Sequence, residues 1–309
     1  MPPRRSRRSP LGGLFLLALF LLGLGTLVYL YSRSDGRGEG DARPAEAERP
    51  AASPPAAAGD TPPAAEEPVE PPAPPAEIAV EPGDGAHVAL VIDDLGDSLD
   101  PLAALERLGV PISYAVLPFA EETPAVAAAL ERAGAEVLCH LPMEAVDGRD
   151  PGPGALRLGM APAELERSTE EALAAVPGAV GVNNHMGSGL SADPVSMESI
   201  LGVLARRGLF YLDSRTSPQS VGYRVARSLG VPAAERQVFL DADPGAEAIR
   251  YQFTRLLALA RQRGAAIAIG HPSPETLAAL AREVPRAQEL GYRFVPVSYL
   301  LDQTGEPPQ

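Results

Sequence analysis

Residues 86–303 show short apolar runs that alternate with longer amphipathic segments. The runs, which the pattern predicts as strands, span 86–92, 111–117, 135–141, 178–183, 208–213, 236–240, 265–270 and 292–297. The amphipathic segments, which we predict as helices, span 101–108, 123–133, 162–176, 195–207, 244–263 and 274–290. Near-continuous apolar strands that alternate with helices indicate a parallel sheet covered by helices. We therefore predict an α/β fold, a distorted (β/α) barrel of about seven parallel strands, with an open doubly wound sheet as the second choice.

The first residues of the chain carry a different pattern. Residues 11–31 hold no charge, and a helix of this length measures about 31 Å, close to the thickness of a bilayer's hydrocarbon core. The four arginines in residues 1–10 favour the cytoplasmic side. A cleaved signal peptide is the alternative, but residues 29–33 make a poor cleavage site. We predict an uncleaved single-pass anchor in the cytoplasmic membrane, with the folded domain on the extracytoplasmic, periplasmic side.

Between the anchor and the domain, residues 32–85 are rich in Pro and Ala and contain no aromatic residue. Such a segment buries too little apolar surface to fold. We predict a disordered linker that holds the domain away from the membrane, and a disordered tail at 304–309.

Composition excludes several classes of function. The 26 basic residues are all arginine and face 40 acidic residues, for a net charge of −14, which argues against a nucleic-acid partner. A single cysteine excludes an intramolecular disulfide framework. Without lysine there is no Walker A motif, and no GxGxxG follows a strand, so no nucleotide cofactor is expected. Trp is absent, so any platform for stacking sugars must use the few Tyr and Phe residues.

Unusual polar residues lie at the carboxyl ends of five predicted strands. They are Asp93, Asp94, His140, Glu144, Asn183, Asn184, His185, Asp213, Arg215 and His271. In α/β barrels and in open parallel sheets, ligands bind at this edge. The agreement of five separate segments therefore predicts a functional site there.

The histidines strengthen this interpretation. Three of the four, His140, His185 and His271, lie at this edge, whereas His87 begins the first strand at the opposite end and is interpreted as structural or solvated. A lone histidine is usually structural, but three at equivalent strand ends favour a site. One Asp and two His can hold a catalytic zinc or a similar divalent ion. A further carboxylate can then act as general base and a remaining histidine as general acid.

Neighbouring residues restrict the other schemes. Asp93 and Asp94 would face opposite ways in a regular strand, but both can approach the mouth where the strand turns into a loop. Cys139 and His140 are also strand neighbours, which disfavours a catalytic pair. Cys139 is instead interpreted as a buried, small apolar residue. The GxSxG and HExxH motifs are absent.

Five segments resemble, in the same order, the divergent polysaccharide deacetylase family. They are VALVIDDLGDS (88–98), LCHLPMEA (138–145), GVNNHMGSGLS (181–191), FYLDSRTSP (210–218) and IAIGHPSPET (267–276). The resemblance covers roughly residues 85–303. It implies a distorted barrel with a metal-dependent site that removes N- or O-acetyl groups, in a protein that bacteria typically export.

The resemblance also implies roles for individual residues. Asp93 resembles the general base of the superfamily and Asp94 its metal-binding aspartate. His140 resembles the first metal-binding histidine. His271 resembles the histidine that protonates the leaving group, and Asp213 the carboxylate that orients this histidine.

The chain departs from the superfamily pattern at two points. A second metal histidine normally stands four residues after the first, where this chain has Glu144. His185 is therefore the preferred third ligand, with Glu144 as the fallback. The Arg-x-Pro-Tyr segment is missing, and Asn183 and Asn184 stand about where it would be. Either asparagine is expected to bind substrate or the oxyanion, with turn formation as the alternative, and Arg215 to hold an acidic sugar or balance the neighbouring carboxylate.

The primary hypothesis is a membrane-anchored hydrolase that removes acetyl groups from an envelope polysaccharide, with peptidoglycan as the candidate. It would use a divalent metal, for which Zn²⁺ is expected. The alternative is a catalytically inactive barrel that serves as an extracytoplasmic glycan-binding or cell-wall scaffold module. A metal hydrolase of another amide or ester is the third interpretation.

Overall fold

The computed structural model describes residues 81–303. The strands in this part of the chain are β1 (His87–Leu95), β2 (Ser113–Val116), β3 (Glu136–Met143), β4 (Gly181–Met186), β5 (Phe210–Asp213), β6 (Ala233–Glu235), β7 (Val238–Phe239), β8 (Ala265–Gly270) and β9 (Arg293–Phe294). The helices are α1 (Asp100–Glu106), α2 (Thr123–Arg132), α3 (Pro162–Ala175), α4 (Pro194–Arg207), α5 (Gly222–Ser228), α6 (Ala246–Arg263), α7 (Pro274–Glu289) and α8 (Val297–Gln303). A 3₁₀ turn spans Leu190–Ala192.

Several predictions for the termini fall outside this part of the chain. These are the arginine-rich tail at 1–10, the anchor at 11–31, most of the linker at 32–85, and the tail at 304–309. Of the predicted linker, residues 32–80 lie outside the described part. Within residues 81–303, no helix combines the length and the apolar character that crossing a bilayer requires.

The strands form one parallel sheet with the order β6-β5-β4-β3-β2-β1-β8-β7, and β9 pairs with β1. The edge strands β6 and β7 do not pair with each other, and the sheet curves around an interior apolar cluster as an open barrel. This fits the predicted distorted α/β barrel, although the described residues form nine strands instead of about seven. The run at 292–297 was expected as one strand, but only two residues pair, and α8 starts at Val297. Pro296 explains the break, because proline has no N–H for the ladder and suits the entry to a helix.

Strand alternation separates an outer layer from an interior. Val88, Leu90 and Ile92 of β1 pack in the larger cluster beneath the helices. Ala89 and Val91 point the other way, into a smaller cluster inside the barrel. The same alternation continues in the other strands, because successive side chains of a strand face opposite sides. This parity decides which polar residues reach the mouth of the barrel.

Helix α8 closes the interior at the amino ends of the strands. Val297 and Leu300 belong to the interior cluster. The carboxylate of Glu136 accepts hydrogen bonds from Ser113 Oγ at 2.6 Å and from the backbone N–H of Val297 at 2.9 Å. It also accepts the N–H of Ser298. Glu136 thereby satisfies the first N–H groups of α8, which have no partner within the helix. The opposite edge, at the carboxyl ends, stays available for a site.

Candidate active site

Two of the predicted strand-end residues, Asp93 and His140, reach the carboxyl edge because they share the inward parity of their strands. In β1, Asp93 continues the inward series of Ala89 and Val91. In β3, His140 lies two residues beyond Leu138, which belongs to the interior cluster. Cys139 faces the helix layer and is fully buried, as expected. Burial raises the pKa of its thiol to about 12, so it is not a nucleophile at neutral pH.

A bulge brings both aspartates of β1 to the mouth. The pairing of β1 with β2 shifts register between Ile92 and Leu95. Within this stretch Asp94 has a φ of 56°, which places it in the left-handed region. An irregular strand residue redirects its side chain, and strained non-glycine residues cluster at functional sites. The bulge therefore turns Asp94 toward the same mouth as Asp93, although a regular strand would separate them.

Asp94, His140 and His185 form a compact group of potential metal ligands. Asp94 Oδ1 lies 3.1 Å from His140 Nε2 and 2.8 Å from His185 Nδ1. The two ring nitrogens are 3.1 Å apart. These three donor atoms form a nearly equilateral triangle, which is one face of a tetrahedral ligand set. Two imidazoles and one carboxylate are a donor set that suits zinc.

Two observations favour a cation at this triangle. Asp94 Oδ1 is buried and accepts no well-formed hydrogen bond, which leaves an unsatisfied anionic oxygen. Burial raises the pKa of Asp94, but the adjoining imidazoles of His140 and His185 outweigh burial and hold it well below its usual range. The carboxylate is therefore ionised. Three electron-pair donors about 3 Å apart repel one another unless a proton or a cation lies between them, so the residues fit a divalent metal.

Asn183 lies behind this triangle and orients two of the site residues. Its Oδ1 lies 2.9 Å from His140 Nδ1, which leaves His140 Nε2 toward Asp94. Its Nδ2 donates to Asp93 Oδ1 at 2.8 Å and to Ser214 Oγ at 3.3 Å. A hydrogen bond of this kind fixes the tautomer and the ring orientation of a metal-binding histidine. Asn183 is fully buried, so it positions the site rather than contacting a substrate.

Asp93 has the surroundings of a general base. It is buried, and its Oδ2 lies 3.6 Å from His140 Nε2. Burial raises the pKa of its carboxyl above the ordinary value, although His140 and the hydrogen bond from Asn183 oppose the shift. A carboxylate whose pKa is raised is a stronger proton acceptor than one in water.

The acid partner requires a correction. Asp213 was expected to orient His271, but the carboxylate that does so is Asp241. His271 Nδ1 lies 3.1 Å from Asp241 Oδ1, and Asp241 Oδ2 accepts the backbone N–H of His271 at 2.6 Å. Burial lowers the pKa of His271, but Asp241 and Asp94 outweigh it and raise the pKa to about 9. His271 Nε2 lies 3.6 Å from Asp94 Oδ2, so a protonated imidazole faces the same centre.

Asp213 has a different role because it faces the helix layer. Phe210 and Leu212 of β5 point into the barrel, so Asp213 shares the outward parity of Tyr211. Its carboxylate accepts hydrogen bonds from Ser220 Oγ at 2.7 Å and from two backbone N–H groups, those of Arg215 and Tyr223. Asp213 therefore holds the segment between β5 and α5 in place.

Asn184 is not placed for the expected substrate contact, and Arg215 does not balance Asp213 as one of its two expected roles required. Asn184 Oδ1 accepts hydrogen bonds from the hydroxyl of Tyr211 and from the backbone N–H of Ser214. Its Nδ2 donates a hydrogen bond to the carbonyl of Met186 at 2.7 Å. This buried amide has no free donor for an oxyanion. The Arg215 guanidinium pairs with Glu235 at 3.3 Å rather than with Asp213. The turn-forming alternative therefore describes Asn184.

Glu144, the fallback ligand, lies outside the triangle. Its Oε2 accepts the backbone N–H of Leu158 at 3.0 Å, so the carboxylate holds the loop that follows β3. The group of candidate ligands in the described residues contains Asp94, His140 and His185. Glu144 is therefore a loop anchor in this geometry.

Asp241 is the site residue that sequence reasoning missed. It directly follows the predicted strand at 236–240, and it shares the inward parity of Phe239, whose ring lies 5.4 Å from that of His271. The rule that strand ends carry the site applies to this short strand as well, because Asp241 directly follows it.

Comparison with known proteins identifies the family. A family model described as divergent polysaccharide deacetylase matches residues 90–301. The chain belongs to this family. An uncharacterized protein of Haemophilus influenzae is 38% identical over 195 residues, which are 63% of this chain and 70% of that protein. YibQ of Escherichia coli K12 is 39% identical over 199 residues, 64% of this chain and 62% of YibQ.

A solved structure supports the same fold. The crystal structure of ATU2773 from Agrobacterium tumefaciens C58 superimposes with a TM-score of 0.66 at 26% identity, over 70% of this chain and 89% of that chain. The resemblance inferred from the five sequence segments is confirmed by the family model.

Proposed function

We propose that this protein is a metal-dependent hydrolase that removes acetyl groups from an envelope polysaccharide. The observation that carries the proposal is the arrangement at one mouth of three metal-binding groups, a buried carboxylate and an imidazole held by a second carboxylate. Family membership supports a carbohydrate deacetylase or an inactive relative of one. An inactive barrel would not need to maintain both an acid and a base beside the same donor triangle.

The residues divide the chemistry between them. A divalent cation on Asp94, His140 and His185, for which we propose Zn²⁺, would act as a Lewis acid toward the acetyl carbonyl. Asp93 takes the proton of the attacking water. His271 gives its proton to the departing amine or alcohol as the bond to the acetyl group breaks, and acetate is released. Asp241 accepts the Nδ1 proton of His271, which leaves the Nε2 proton for donation, and Asn183 holds both Asp93 and His140.

The location of this activity is part of the proposal. The apolar segment at 11–31 and the Pro- and Ala-rich linker at 32–85 support a single-pass anchor with the catalytic domain on the periplasmic side. Peptidoglycan is then the polymer within reach, because it fills the space that such a tether crosses. Resistance of the full chain to carbonate extraction from membranes would support the anchor, and release into the soluble fraction would contradict it.

Metal content and acetate release test the catalytic proposal together. The detergent-solubilised full chain, purified without a histidine tag, should hold about one equivalent of divalent metal per chain. It should also release acetate from an N-acetylated glycan. His185→Ala and Asp94→Ala should lose both properties, whereas His87→Ala, the matched histidine at the opposite end of β1, should keep both. If His185→Ala kept its full metal content while Asp94→Ala lost it, Glu144 would become the preferred third ligand.

An absence of metal and of acetate release, even after reconstitution, would overturn the hydrolase. The inactive glycan-binding or scaffold module would then be the better account. If His87→Ala also lost its metal and its acetate release, the losses in the other variants would have to be attributed to misfolding and not to the removal of a metal ligand.

A further inference from the structure

Arg236 lies where the barrel is open, in the two-residue connection between β6 and β7, which we call the seam. The edge strands do not pair with each other, so other contacts hold the seam. The backbone N–H of Arg236 donates to the carbonyl of Asp213 at 3.0 Å, which extends the ladder between β6 and β5 by one bond. The second seam residue, Gln237, bonds through its backbone N–H and its Oε1 to Ile267 of β8. The seam is therefore attached to both edges of the open barrel.

The guanidinium of Arg236 fastens the segment that follows β5. Its Nε donates to the carbonyl of Ser214 at 2.6 Å, and its Nη2 donates to the carbonyl of Arg215 at 2.9 Å. Arg215 has a φ of 49°, a left-handed conformation that is unfavourable for a residue with a side chain and persists only where its surroundings impose it. The fork of the Arg236 guanidinium, which bonds two successive carbonyls, is one of the contacts that impose it.

This segment supports the side chain that orients the base. Ser214 Oγ accepts a hydrogen bond from Asn183 Nδ2 at 3.3 Å. The same amide group donates to Asp93, and its oxygen faces His140. A displacement of Ser214 would therefore be transmitted through Asn183 to the proposed general base and to a proposed metal ligand.

The same guanidinium also contacts the acid side of the candidate site. Its central carbon lies 4.7 Å from the centroid of the Phe239 ring, which is a cation–π contact. The Phe239 ring meets the imidazole of His271 edge-on, with the two centroids 5.4 Å apart. Phe239 packs against the interior apolar cluster as well. The ring that limits the orientation of His271 is thus itself held by Arg236.

The shape of the Arg236 side chain matters here in addition to its charge. The residue is only partly exposed, and burial lowers the pKa of its guanidinium, although the carboxylates of Asp93 and Asp213 oppose that shift. The group remains charged, because a guanidinium is not deprotonated in proteins. A lysine would keep the charge, but it lacks the planar fork for two carbonyls and the flat face for the ring. Substitution can therefore separate geometry from charge.

We propose that Arg236 is a positioning residue, which holds the segment after β5 and the ring of Phe239 and thereby fixes the base and the acid of the site relative to each other. It acts through these neighbours and not on the reacting atoms. This inference rests on the proposed function, because it assigns Arg236 a part in the same reaction. Loss of the guanidinium should slow the reaction and leave the binding of the glycan nearly unchanged.

Kinetics of acetate release from the N-acetylglucosamine tetramer test the positioning role. In the metal-loaded full chain in detergent, Arg236→Lys and Arg236→Ala should each lower kcat about tenfold or more and change KM less than about threefold. Millimolar guanidinium chloride should restore part of the activity of Arg236→Ala, whereas sodium chloride should not. Arg167→Lys is the control, because Arg167 is exposed on α3 and pairs there with Glu171.

Hydrogen exchange tests the contact itself, independently of activity and of bound metal. In the EDTA-treated full chain, Arg236→Lys should accelerate exchange in residues 213–220 by about tenfold, because their local opening becomes easier. Exchange in β2, which lies away from the seam, should stay as in the wild type. Arg167→Lys should leave both regions unchanged. Equal acceleration in β2 would make Arg236 a general stabilising residue and would overturn the proposal.

The two measurements also separate this proposal from the proposed function. If exchange rises locally as expected but the wild type releases no acetate, the seam contact is supported and the hydrolase is overturned. If the wild type releases acetate and Arg236→Lys does so equally fast, the hydrolase stands and the positioning role is overturned. Unchanged exchange at 213–220 in Arg236→Lys would overturn the positioning role whatever the activity.

Discussion

At the scale of single residues, the candidate site depends on the side chains that hold the proposed reacting groups as much as on those groups themselves. Asn183 joins His140 to Asp93, and Asp241 holds His271 through both its side chain and its backbone. Each of these partners satisfies a buried polar group that would otherwise be costly to desolvate. Their removal should therefore change protonation and orientation without removing the reacting group.

Replacing Asp241 with Asn should lower kcat by about tenfold to a hundredfold. It should also move the alkaline limb of the pH profile to lower pH. Asp241 raises the pKa of His271, and only protonated His271 donates a proton, so a lower pKa ends the active range earlier. A pH series of acetate release measures both effects. Asp243→Asn is the control, because Asp243 only caps the N–H of Gly245, and an unchanged limb in Asp241→Asn would contradict the assignment.

Cys139 should be inert to thiol reagents while the protein is folded. Its side chain is fully buried, and burial raises the pKa of the thiol to about 12. Ellman's reagent at pH 8 should give almost no colour with the native chain and one equivalent after denaturation, since this is the one cysteine. Rapid labelling of the native chain would show that β3 opens beside His140.

At the scale of elements, local irregularities place the chemistry. The bulge at Asp93 and Asp94 turns two neighbouring carboxylates to one mouth. At the other end of the barrel, Glu136 joins the starts of β2 and β3 to α8. The bulge positions the proposed catalytic carboxylates, whereas the hydrogen bonds of Glu136 stabilise the fold.

Replacing Glu136 with Ala should destabilise the fold by about 1–3 kcal/mol. The change leaves the N–H of Ser298 without its acceptor and the N–H of Val297 with Ser113 Oγ alone, and an unsatisfied buried donor costs about that much. Urea denaturation measures the loss. Glu131→Ala, an exposed position on α2, should change the free energy of unfolding by less than about 0.5 kcal/mol. Equal stability of the two variants would contradict the capping role.

At the scale of the whole molecule, the mouth joins segments from β1, β3, β4 and β8 that are far apart in the chain. A ligand that bridges them binds the folded state alone and therefore stabilises it by mass action. The donor triangle is such a bridge, because its three ligands come from three different strands.

Zinc at about a hundred times its dissociation constant should stabilise the fold by about 2.7 kcal/mol. For a domain of this size, that corresponds to a rise in Tm of about 5–10 °C. Differential scanning fluorimetry with and without EDTA measures the shift. The shift should vanish in His185→Ala and persist in His87→Ala, and a shift of the same size in both variants would place the metal elsewhere.

The sequence by itself determined the fold class and the edge that carries the site. Apolar runs that alternate with amphipathic segments specify strands and helices locally, and parallel strands place all their carboxyl ends together. Asp94, His140 and His185 could be placed at that edge on this basis, because each lies within two residues of the end of a predicted strand.

Only the tertiary structure decided which neighbour each side chain meets. Asp213 and Asp241 both follow predicted strands, and their local sequence does not reveal that one faces the helices and the other faces His271. The sequence likewise allowed Asn184 to bind substrate and Glu144 to bind a metal. In the structure, both side chains instead hydrogen-bond to backbone N–H groups of the protein. The physical reason is that a strand offers two faces, and the face that becomes the interior is chosen by packing of the whole barrel.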